Sequence, residues 1–270
     1  MKEKCLLHRA IGIFDSGVGG LTVFKEIMRR LPEEDLLYLG DTARVPYGTK
    51  SPETVRQYAL EAGAFLVDQG VKMLVVACNT ASAVALPALR ERFNLPVVGV
   101  IEPGARCAAN SKNGRIGVIG TEGTIGSGRY EEAINALLPK AEVFSTACPL
   151  LVPLAEEGWA EHPVAQLAVR EYLAPLKQNG IDTLVLGCTH YPLLRKTLQQ
   201  EVGDGVHLVD SAEETAATVA DLFRERGLSR PQSGGSRAFF VTDVPTRFVR
   251  VGQAFLGCEL TQVKQVRIGP

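Results

Sequence analysis

Two cysteines stand at matching places in two similar segments of the sequence. Cys78 ends the run Met-Leu-Val-Val-Ala-Cys, and Cys188 ends the run Thr-Leu-Val-Leu-Gly-Cys. A pair of polar residues follows each cysteine: Asn79-Thr80 and Thr189-His190. Each apolar run is typical of a buried strand, and open α/β sheets bind their ligands at the carboxyl ends of their strands. The pattern therefore predicts a cleft with one thiol on each side.

Such a pair of thiols could invert a stereocentre. A helix that starts directly after each strand would present free N–H groups and the positive end of its dipole, which favour a thiolate and a bound carboxylate. One thiolate would remove a proton from a carbon, and the opposite thiol would return a proton to the other face. The carbon must be a weak but accessible acid, such as the α-carbon of an amino acid, with hydrogen-bond donors near its carbanion.

The alternative role of any one cysteine is that of a small buried apolar residue. We assign this role to the four cysteines that lack the context described above: Cys5, Cys107, Cys148 and Cys258. His190 is the only histidine in a motif-like context, and its alternative role is also structural.

A third polar segment follows the apolar run that starts at Ile11. Asp15 and Ser16 end this run and lead into a glycine-rich turn that reaches Gly20. The turn lacks the G-x-G-x-x-G spacing and the P-loop lysine, so a contact with a substrate carboxylate, or simply a tight turn, is favoured over nucleotide binding. Asp15 could place its carboxylate near the cleft or could cap the turn.

The composition is that of a globular protein with little net charge. The chain has 270 residues, 46% of them hydrophobic, and its 29 basic and 30 acidic residues give a net charge of −1. This length predicts one large or two modest domains, and the charge balance gives no reason to expect nucleic acid. No apolar run approaches the roughly 18 residues of a membrane span, and the first residues lack the core of a signal peptide. We therefore expect a cytoplasmic protein without membrane contact, and the scattered cysteines predict no metal site.

Strand-like and helix-like segments alternate along the chain. Strands are predicted at 11–14, 36–39, 73–77, 97–101, 116–119, 143–145, 184–186, 207–209, 239–242 and 262–268, with a linker-like stretch at 229–236. Helices are predicted at 21–30, after Ser51 as the cap and up to Gly70, after Asn79-Thr80, and after a capping box at Ser211–Glu214. This alternation is typical of an α/β fold with a mostly parallel sheet.

Three segments of the first half resemble three segments of the second. Residues 11–16 resemble 116–121, residues 73–78 resemble 183–188, and the segment from Val98 pairs loosely with that from His207. The first two offsets, 105 and 110 residues, are similar. The pattern indicates two similar α/β halves, although parallel strands can also look alike by chance.

Six motifs, taken together, resemble the glutamate racemases of the aspartate/glutamate racemase family. They occupy residues 12–23, 38–48, 75–83, 117–124 (followed by Ser127 and Tyr130), 186–194 and 208–211. The resemblance spans about residues 11–225, in order and at matching spacing. Pro46-Tyr47-Gly48 and the two cysteine motifs separate the chain from looser aspartate and hydantoin racemase relatives. The sequence after residue 228 matches no specific motif.

The resemblance implies an enzyme with two similar doubly wound α/β domains, related by a pseudo-twofold axis, and an active site in the cleft between them. The first domain would comprise residues 1–97 plus 208–270, and the second residues 98–207. The implied reaction is the cofactor-independent interconversion of L- and D-glutamate by two-thiol proton transfer, which supplies D-glutamate for peptidoglycan, cell wall biogenesis and cell shape. No metal and no pyridoxal phosphate is implied, and the expected assembly is a homodimer.

The same resemblance implies roles for single residues. Cys78 would act on the D-isomer with the assistance of Asp15, and Cys188 on the L-isomer with the assistance of His190. Glu156 is a further candidate helper, with Glu157 as an adjacent competitor. The implied substrate contacts are Asp15, Ser16, Pro46, Tyr47, Gly48, Asn79, Thr80, Thr121, Thr124, Thr189 and His190.

Two other functions remain as alternatives. A related cysteine-dependent enzyme would act on aspartate, a hydantoin or a malonate-like acid, and a substrate profile would reveal it. A two-lobed binding module would close on an amino acid without chemistry, and its cysteines would catalyse no hydrogen exchange.

Overall fold

The structure is a computed structural model that describes residues 7–230 and 234–269. Its strands are β1 (Ile11–Asp15), β2 (Leu36–Gly40), β3 (Met73–Val76), β4 (Val97–Gly99), β5 (Arg115–Gly120), β6 (Glu142–Ala147), β7 (Thr183–Gly187), β8 (His207–Asp210), β9 (Arg237–Val241) and β10 (Val263–Gln265). Its α-helices are α1 (Leu21–Arg30), α2 (Pro52–Asp68), α3 (Asn79–Arg92), α4 (Ile101–Ala108), α5 (Glu122–Gly126), α6 (Arg129–Leu137), α7 (Leu151–Glu156), α8 (Pro163–Gln178), α9 (Arg195–Val202), α10 (Ser211–Arg226) and α11 (Pro245–Leu256). Two short 3₁₀ turns cover Tyr47–Thr49 and Tyr191–Leu194.

The strands form two parallel sheets. The first sheet has six strands in the order β10-β9-β2-β1-β3-β4, and the second has four in the order β6-β5-β7-β8. Every strand pairing between described residues is parallel. Strands β1, β3 and β7 are buried along their whole length, as expected where helices cover both faces of a parallel sheet. The predicted fold, with two similar α/β domains, is confirmed.

The repeat in the sequence corresponds to a repeat in the structure. The order β2-β1-β3-β4 in the first sheet matches the order β6-β5-β7-β8 in the second. Strand β1 therefore corresponds to β5, β3 to β7 and β4 to β8, which are the three predicted pairs. The fourth pair, β2 and β6, is not predicted by the repeat, and β9 and β10 extend the first sheet alone.

Two predicted strands are shorter in the structure. The strand predicted at 97–101 ends at Gly99, because α4 begins at Ile101. The strand predicted at 262–268 is reduced to Val263–Gln265, which pairs with β9 over three residues. In both cases the apolar pattern continues beyond the last residue that has a strand partner.

One of the two predicted helix caps is correct. The hydroxyl of Ser51 accepts the backbone N–H of Thr54 at 3.3 Å, at the start of α2. The cap predicted at Ser211 is wrong, because the carboxylate of Asp210 accepts the N–H of Ala212 at 2.8 Å and Ser211 is the first helical residue. The acidic residue one position earlier competes successfully for the same free N–H groups.

The two sheets divide the chain near the predicted domain boundaries. The strands of the first sheet lie within residues 11–99 and 237–265, and those of the second within 115–210. The sheets thus change after Gly99 and after Asp210, a few residues beyond the boundaries predicted at 98 and 207. Helix α10 packs against both α1 and α4, so it contacts helices of both halves. The division into two domains at the stated residues stays a prediction.

The segment after residue 228 completes the first sheet. Strand β9 pairs with β2 from Leu36 to Gly40, and α11 packs against α1. The rings of Phe239 and Phe248 lie 6.4 and 5.9 Å from that of Tyr38, between centroids. This tail, which carries no recognisable motif, is therefore part of the hydrophobic core.

The linker-like stretch 229–236 is described only at its two ends, because residues 231–233 lie outside the described ranges, as does Cys5. Arg230 donates its backbone N–H to Glu34 at 2.7 Å, and Ser236 donates its own to Asp35 at 2.6 Å. The described ends are thus held against the turn before β2. Among the helices described here, none has both the length and the apolar character needed to span a bilayer.

Candidate active site

A small cavity lies where the carboxyl ends of the two sheets face each other. Its volume is about 70 Å³. The predicted site residues that line it are Asp15, Ser16, Pro46, Tyr47, Gly48, Cys78, Asn79, Thr80, Thr121, Glu156, Cys188, Thr189 and His190. The lining also includes Gly17, Val45 and Val152, which the sequence reasoning did not select. Of the predicted substrate contacts, only Thr124 is not in the lining.

Four strand ends bring these residues together. In the first sheet, β1 ends at Asp15 and β3 ends two residues before Cys78. In the second sheet, β5 leads directly into Thr121 and β7 into Cys188. Strand β1 lies next to β3, and β5 lies next to β7. Because neighbouring parallel strands end at the same edge, each sheet presents two polar strand ends to the cavity.

Cys78 caps the N-terminus of α3. Its Sγ atom accepts the N–H of Ala81 at 3.5 Å and lies 3.8 Å from the hydroxyl of Ser16. Burial, together with the negative charge of Asp15, nevertheless raises the pKa of Cys78 to about 12. The expectation that the helix N-terminus favours a thiolate here is therefore wrong for the unliganded protein, because desolvation outweighs the hydrogen bonds. Cys78 rests as a neutral thiol.

Cys188 has a different setting. The expectation that a helix starts directly after this cysteine is wrong, because the 3₁₀ turn Tyr191–Leu194 follows it instead. The Sγ atom lies 3.8 Å from Nδ1 of His190, whose Nε2 lies 3.1 Å from a carboxylate oxygen of Glu156. Burial lowers the pKa of His190, but its hydrogen bonds with Cys188 and Glu156 raise that pKa more, to about 10. The imidazole is therefore held in its charged form beside the thiol.

Glu156, rather than the adjacent Glu157, meets the histidine. Glu157 is exposed at the end of α7. The hydrogen bond from His190 lowers the pKa of Glu156 despite its partial burial, and Arg247 lowers it further. Arg247 donates to the second carboxylate oxygen at 2.9 Å. Sequence reasoning missed this arginine, because it lies in the tail and no motif surrounds it.

Asp15 is almost completely buried at the end of β1. Its Oδ2 atom accepts the N–H of Gly17 at 2.9 Å, so it caps the glycine-rich turn. Its Oδ1 atom has no hydrogen-bond partner among the described residues. The carboxylate influences both Cys78 and His190 through its charge, so the two alternatives weighed for Asp15, a cap and a site carboxylate, are both compatible with its position.

Three threonine hydroxyls join the two halves beside the cavity. Thr80 of α3 lies 2.9 Å from Thr121 and 3.2 Å from Thr124, and the latter two are 3.0 Å apart. Thr124 is the member of this cluster that does not line the cavity, and its nearly complete burial explains why it supports the cavity wall instead. Gly48 packs directly against the cluster, since a Cβ atom there would lie 2.6 Å from that of Thr121.

Two further polar contacts hold lining residues in place. The hydroxyl of Tyr47 donates to Asp41, whose same carboxylate oxygen accepts from Arg44 at 2.7 Å. The carboxamide oxygen of Asn79 accepts from the hydroxyl of Tyr130 at 2.7 Å. Asp41, Arg44 and Tyr130 lie within or near the motifs, but their sequence positions alone do not show which lining residue each one holds. Within the described ranges, no three His, Cys, Asp or Glu side chains are grouped so that they could hold a metal ion.

Comparison with known proteins identifies the family. Residues 11–219 match the family model of the Asp/Glu/Hydantoin racemases. The chain belongs to this family. A glutamate racemase from Geobacter metallireducens is 60% identical over 262 residues, which cover 96% of this chain and 97% of that protein. This similarity includes most of the tail after residue 228, which the family model leaves out.

Solved structures of racemases of this family match nearly the whole chain. A glutamate racemase isoform from Bacillus anthracis has a TM-score of 0.93 at 43% identity and covers 96% of this chain and 98% of its own. A glutamate racemase from Francisella tularensis, solved in complex with D-glutamate, has a TM-score of 0.92 at 38% identity, with coverage of 97% and 98%. The predicted resemblance is confirmed, and the chain is an enzyme of the racemase family. The roles predicted for single residues stay predictions.

Proposed function

We propose that this enzyme interconverts L- and D-glutamate by proton transfer between two thiols and the α-carbon, without a cofactor. The observation that carries the proposal is that Cys78 and Cys188, which follow corresponding strands of the two sheets, line one cavity. Inversion requires an acid and a base on opposite sides of one carbon. The name of the Geobacter metallireducens relative and the D-glutamate complex of the Francisella tularensis protein support glutamate as the substrate.

In the L-to-D direction, the thiolate of Cys188 removes the α-proton of L-glutamate. The electron pair of the broken C–H bond remains on the α-carbon and delocalises into the α-carboxylate. The thiol of Cys78 then donates its proton to the opposite face and forms the new C–H bond. The product is D-glutamate, with Cys188 left as a thiol and Cys78 as a thiolate.

The different settings of the two thiols support this assignment. The imidazole of His190, held in its charged form, lies 3.8 Å from the Sγ atom of Cys188. Burial and the charge of Asp15 instead raise the pKa of Cys78. These settings suit Cys188 to remove the proton of L-glutamate and Cys78 to donate one. The reverse reaction starts from a thiolate at Cys78, which the hydroxyl of Ser16 and the N–H of Ala81 stabilise by hydrogen bonds.

The carbanion and the two substrate carboxylates require hydrogen-bond donors. The cavity wall offers the hydroxyls of Ser16, Thr80, Thr121 and Thr189 and the amide of Asn79. We assign substrate binding to these residues and to Asp15, Pro46, Tyr47, Gly48 and His190, with Thr124 as a support of the wall. Glu156 is assigned to holding His190 in its charged form.

The metabolic role follows from the product. D-glutamate made in this way would serve peptidoglycan synthesis and, through it, cell wall biogenesis and cell shape. A cytoplasmic location and a homodimeric assembly belong to the same proposal.

The decisive experiment is racemisation of L- and D-glutamate in deuterated water with no added cofactor, followed by circular dichroism and proton NMR. We expect the optical signal to decay from either enantiomer while deuterium enters the α-position. Aspartate and a hydantoin serve as comparison substrates, and turnover of these in place of glutamate would contradict the proposed specificity. Hydrogen exchange with none of them would favour the two-lobed binding module.

Single-thiol variants test the mechanism itself. Cys78→Ala and Cys188→Ala should each reduce racemisation by a factor of at least about 10³, because inversion loses its acid or its base. Cys258→Ala is the matched control, since this cysteine lies outside the cavity and is exposed, so that the buried role expected for it from the sequence is wrong. Normal turnover by either of the first two variants would exclude the two-thiol mechanism.

A further inference from the structure

We infer that Tyr130 is a positioning residue that fixes the carboxamide of Asn79 so that its NH₂ group, and not its oxygen, faces a carboxylate of the substrate. This inference rests on the proposed function, because it assigns Asn79 a glutamate carboxylate as its ligand. It extends that function by giving a role to a tyrosine outside the cavity lining.

The orientation of the amide follows from its hydrogen bonds. The hydroxyl of Tyr130 donates to Oδ1 of Asn79 at 2.7 Å. The Nδ2 atom of Asn79 is buried and has no partner in the described part of the chain, although the residue lines the cavity. A buried NH₂ group without an acceptor is costly, and an amide is a donor on one side and an acceptor on the other. The free donor therefore indicates that an acceptor binds there.

The phenol of Tyr130 is the donor in this bond because it stays protonated. Burial is the main cause that raises its pKa above the ordinary range. With the phenol proton directed at Oδ1, the NH₂ group is the side of the amide that has no partner among the described residues. If the amide were turned over, its oxygen would face the cavity and repel a carboxylate.

The packing around Tyr130 holds its ring in one place. A Cβ atom at Gly187 would lie 3.1 Å from the ring, and one at Gly104 would lie 3.3 Å from the hydroxyl oxygen. Tyr130 belongs to α6, whereas Asn79 begins α3 beside the first sheet. The bond therefore also aligns the two halves at the point where Asn79 meets the substrate.

Tyr130→Phe removes the hydroxyl and keeps the ring. We expect the KM for both enantiomers of glutamate to rise about tenfold while kcat changes less than threefold, because the amide contact holds ground state and transition state alike. The measurement is steady-state kinetics in both directions. A KM within twofold of the wild-type value would overturn the inference.

A double-variant comparison separates positioning from a general structural effect. In an Asn79→Ala background, Tyr130→Phe should change the KM less than twofold, since the amide on which it acts is gone. An undiminished effect of Tyr130→Phe in that background would also overturn the inference. Tyr191→Phe is the control for stability, because it removes another buried hydroxyl of the second half. That hydroxyl donates to the carbonyl of Cys148 at 2.8 Å. We expect Tyr191→Phe to lower the thermal stability by a comparable amount without raising the KM.

Binding measured without turnover distinguishes failure of the inference from failure of the proposed function. The Cys78→Ala/Cys188→Ala variant is titrated calorimetrically with D-glutamate, with and without Tyr130→Phe. Tenfold weaker binding with Tyr130→Phe would support the inference even if the wild type did not racemise glutamate. Equal binding beside normal wild-type racemisation would overturn the inference alone. If glutamate bound neither to the wild type nor to the Cys78→Ala/Cys188→Ala variant, the inference and the proposed function would both be overturned.

Discussion

At the scale of single residues, the two thiols differ in what stabilises their charge. Cys188 lies 3.8 Å from Nδ1 of His190, whereas Cys78 has the hydroxyl of Ser16, and the negative charge of Asp15 raises its pKa. We expect His190→Asn to slow proton removal from L-glutamate about 10²-fold, because the cation beside Cys188 is lost. We expect Asp15→Asn to slow proton removal from D-glutamate by a similar factor, because a Cys78 thiolate without the neighbouring negative charge is a weaker base. Because the enantiomers are equally stable, kcat/KM must fall equally in both directions, so the difference has to appear elsewhere.

The difference should appear in kcat and in the primary isotope effect with α-deuterated substrate. His190→Asn should raise the isotope effect when L-glutamate is the substrate, and Asp15→Asn should raise it when D-glutamate is the substrate. Identical isotope effects from both enantiomers in both variants would contradict the assignment of one helper to each thiol.

The charge of His190 also makes stability depend on pH. The pKa of His190 is raised from 6.5 to about 10 in the folded protein, so the folded state holds a proton that the unfolded state has released. Its stabilising contribution is complete below pH 6.5 and is lost as the pH rises toward 10. We expect the free energy of unfolding to fall between about pH 6.5 and 9 in the wild type and less steeply in His190→Asn, as measured by urea denaturation. The range stops at 9 because the buried Cys78 adds its own loss above that pH. Parallel slopes would show that His190 is not charged in the folded protein.

At the scale of elements, α11 brings a residue of the tail to the site. Arg247 of this helix bonds the carboxylate of Glu156, which holds His190. The arginine side chain is 67% exposed, so solvent screens its effect on Glu156.

We expect Arg247→Gln to reduce kcat from L-glutamate only about two- to fivefold. Added salt should produce a similar loss in the wild type but not in this variant. Arg250→Gln is the control, because Arg250 is exposed on the same helix and forms no ion pair within the described residues. Equal effects of Arg247→Gln and Arg250→Gln on kcat would show that the contact of Arg247 with Glu156 does not contribute to the reaction.

Prediction from the sequence succeeded where the signal is local and failed where a contact joins distant segments. A strand that ends at a cysteine followed by polar residues occurs once in each half, at Cys78 and at Cys188. The sequence alone therefore predicted both strand ends. The position of Glu156 came only from the resemblance, and its bond to Arg247 spans 91 residues without any local pattern. The expected thiolate at Cys78 was wrong because a helix terminus can be read from the sequence, whereas burial cannot.

The close approach of the two halves depends on the 3₁₀ turn that contains Gly48. A Cβ atom at this position would lie 2.6 Å from the Cβ of Thr121 in the other half. We expect Gly48→Ala to lower kcat/KM at least about tenfold and the free energy of unfolding by about 1–3 kcal/mol, because the threonine cluster must move. Gly126→Ala is the control, since no atom lies within 4 Å of the added carbon there. Full activity of Gly48→Ala would mean that the halves can separate at this point without loss of function.

At the scale of the whole molecule, polar contacts join the two halves around the cavity. Among them are the threonine cluster, the bond from Tyr130 to Asn79, the bond from the Thr22 hydroxyl to the carbonyl of Thr189, and the ion pair of Arg247 with Glu156. Each of them ends on a lining residue or on its direct support. The same contacts therefore set both the relative position of the halves and the geometry of the site, and changes in either should be measurable in the other.

At the amino ends of its strands, the first sheet has a buried ion pair that lies far from the cavity. Lys72 precedes β3 and bonds Glu34 at 2.5 Å and the carbonyls of Leu7 and Leu228 at 2.9 and 3.0 Å. It thereby ties the beginning of the described chain and the start of the tail to the amino end of the sheet. Lys72→Met should lower the free energy of unfolding by about 3–5 kcal/mol, because it leaves the Glu34 carboxylate buried without its cation.

Lys72→Met combined with Glu34→Leu should recover much of that stability, since the unpaired charge is then removed as well. For both variants we expect kcat and KM per folded molecule to equal the wild-type values, because none of the hydrogen bonds that these two side chains form within the described residues reaches a residue that lines the cavity. Urea denaturation gives the stability, and racemisation assayed well below the denaturation midpoint gives the activity. A changed KM at full folding would show that the amino edge of the first sheet is coupled to the site at its carboxyl edge, and that the polar contacts around the cavity do not set its geometry alone.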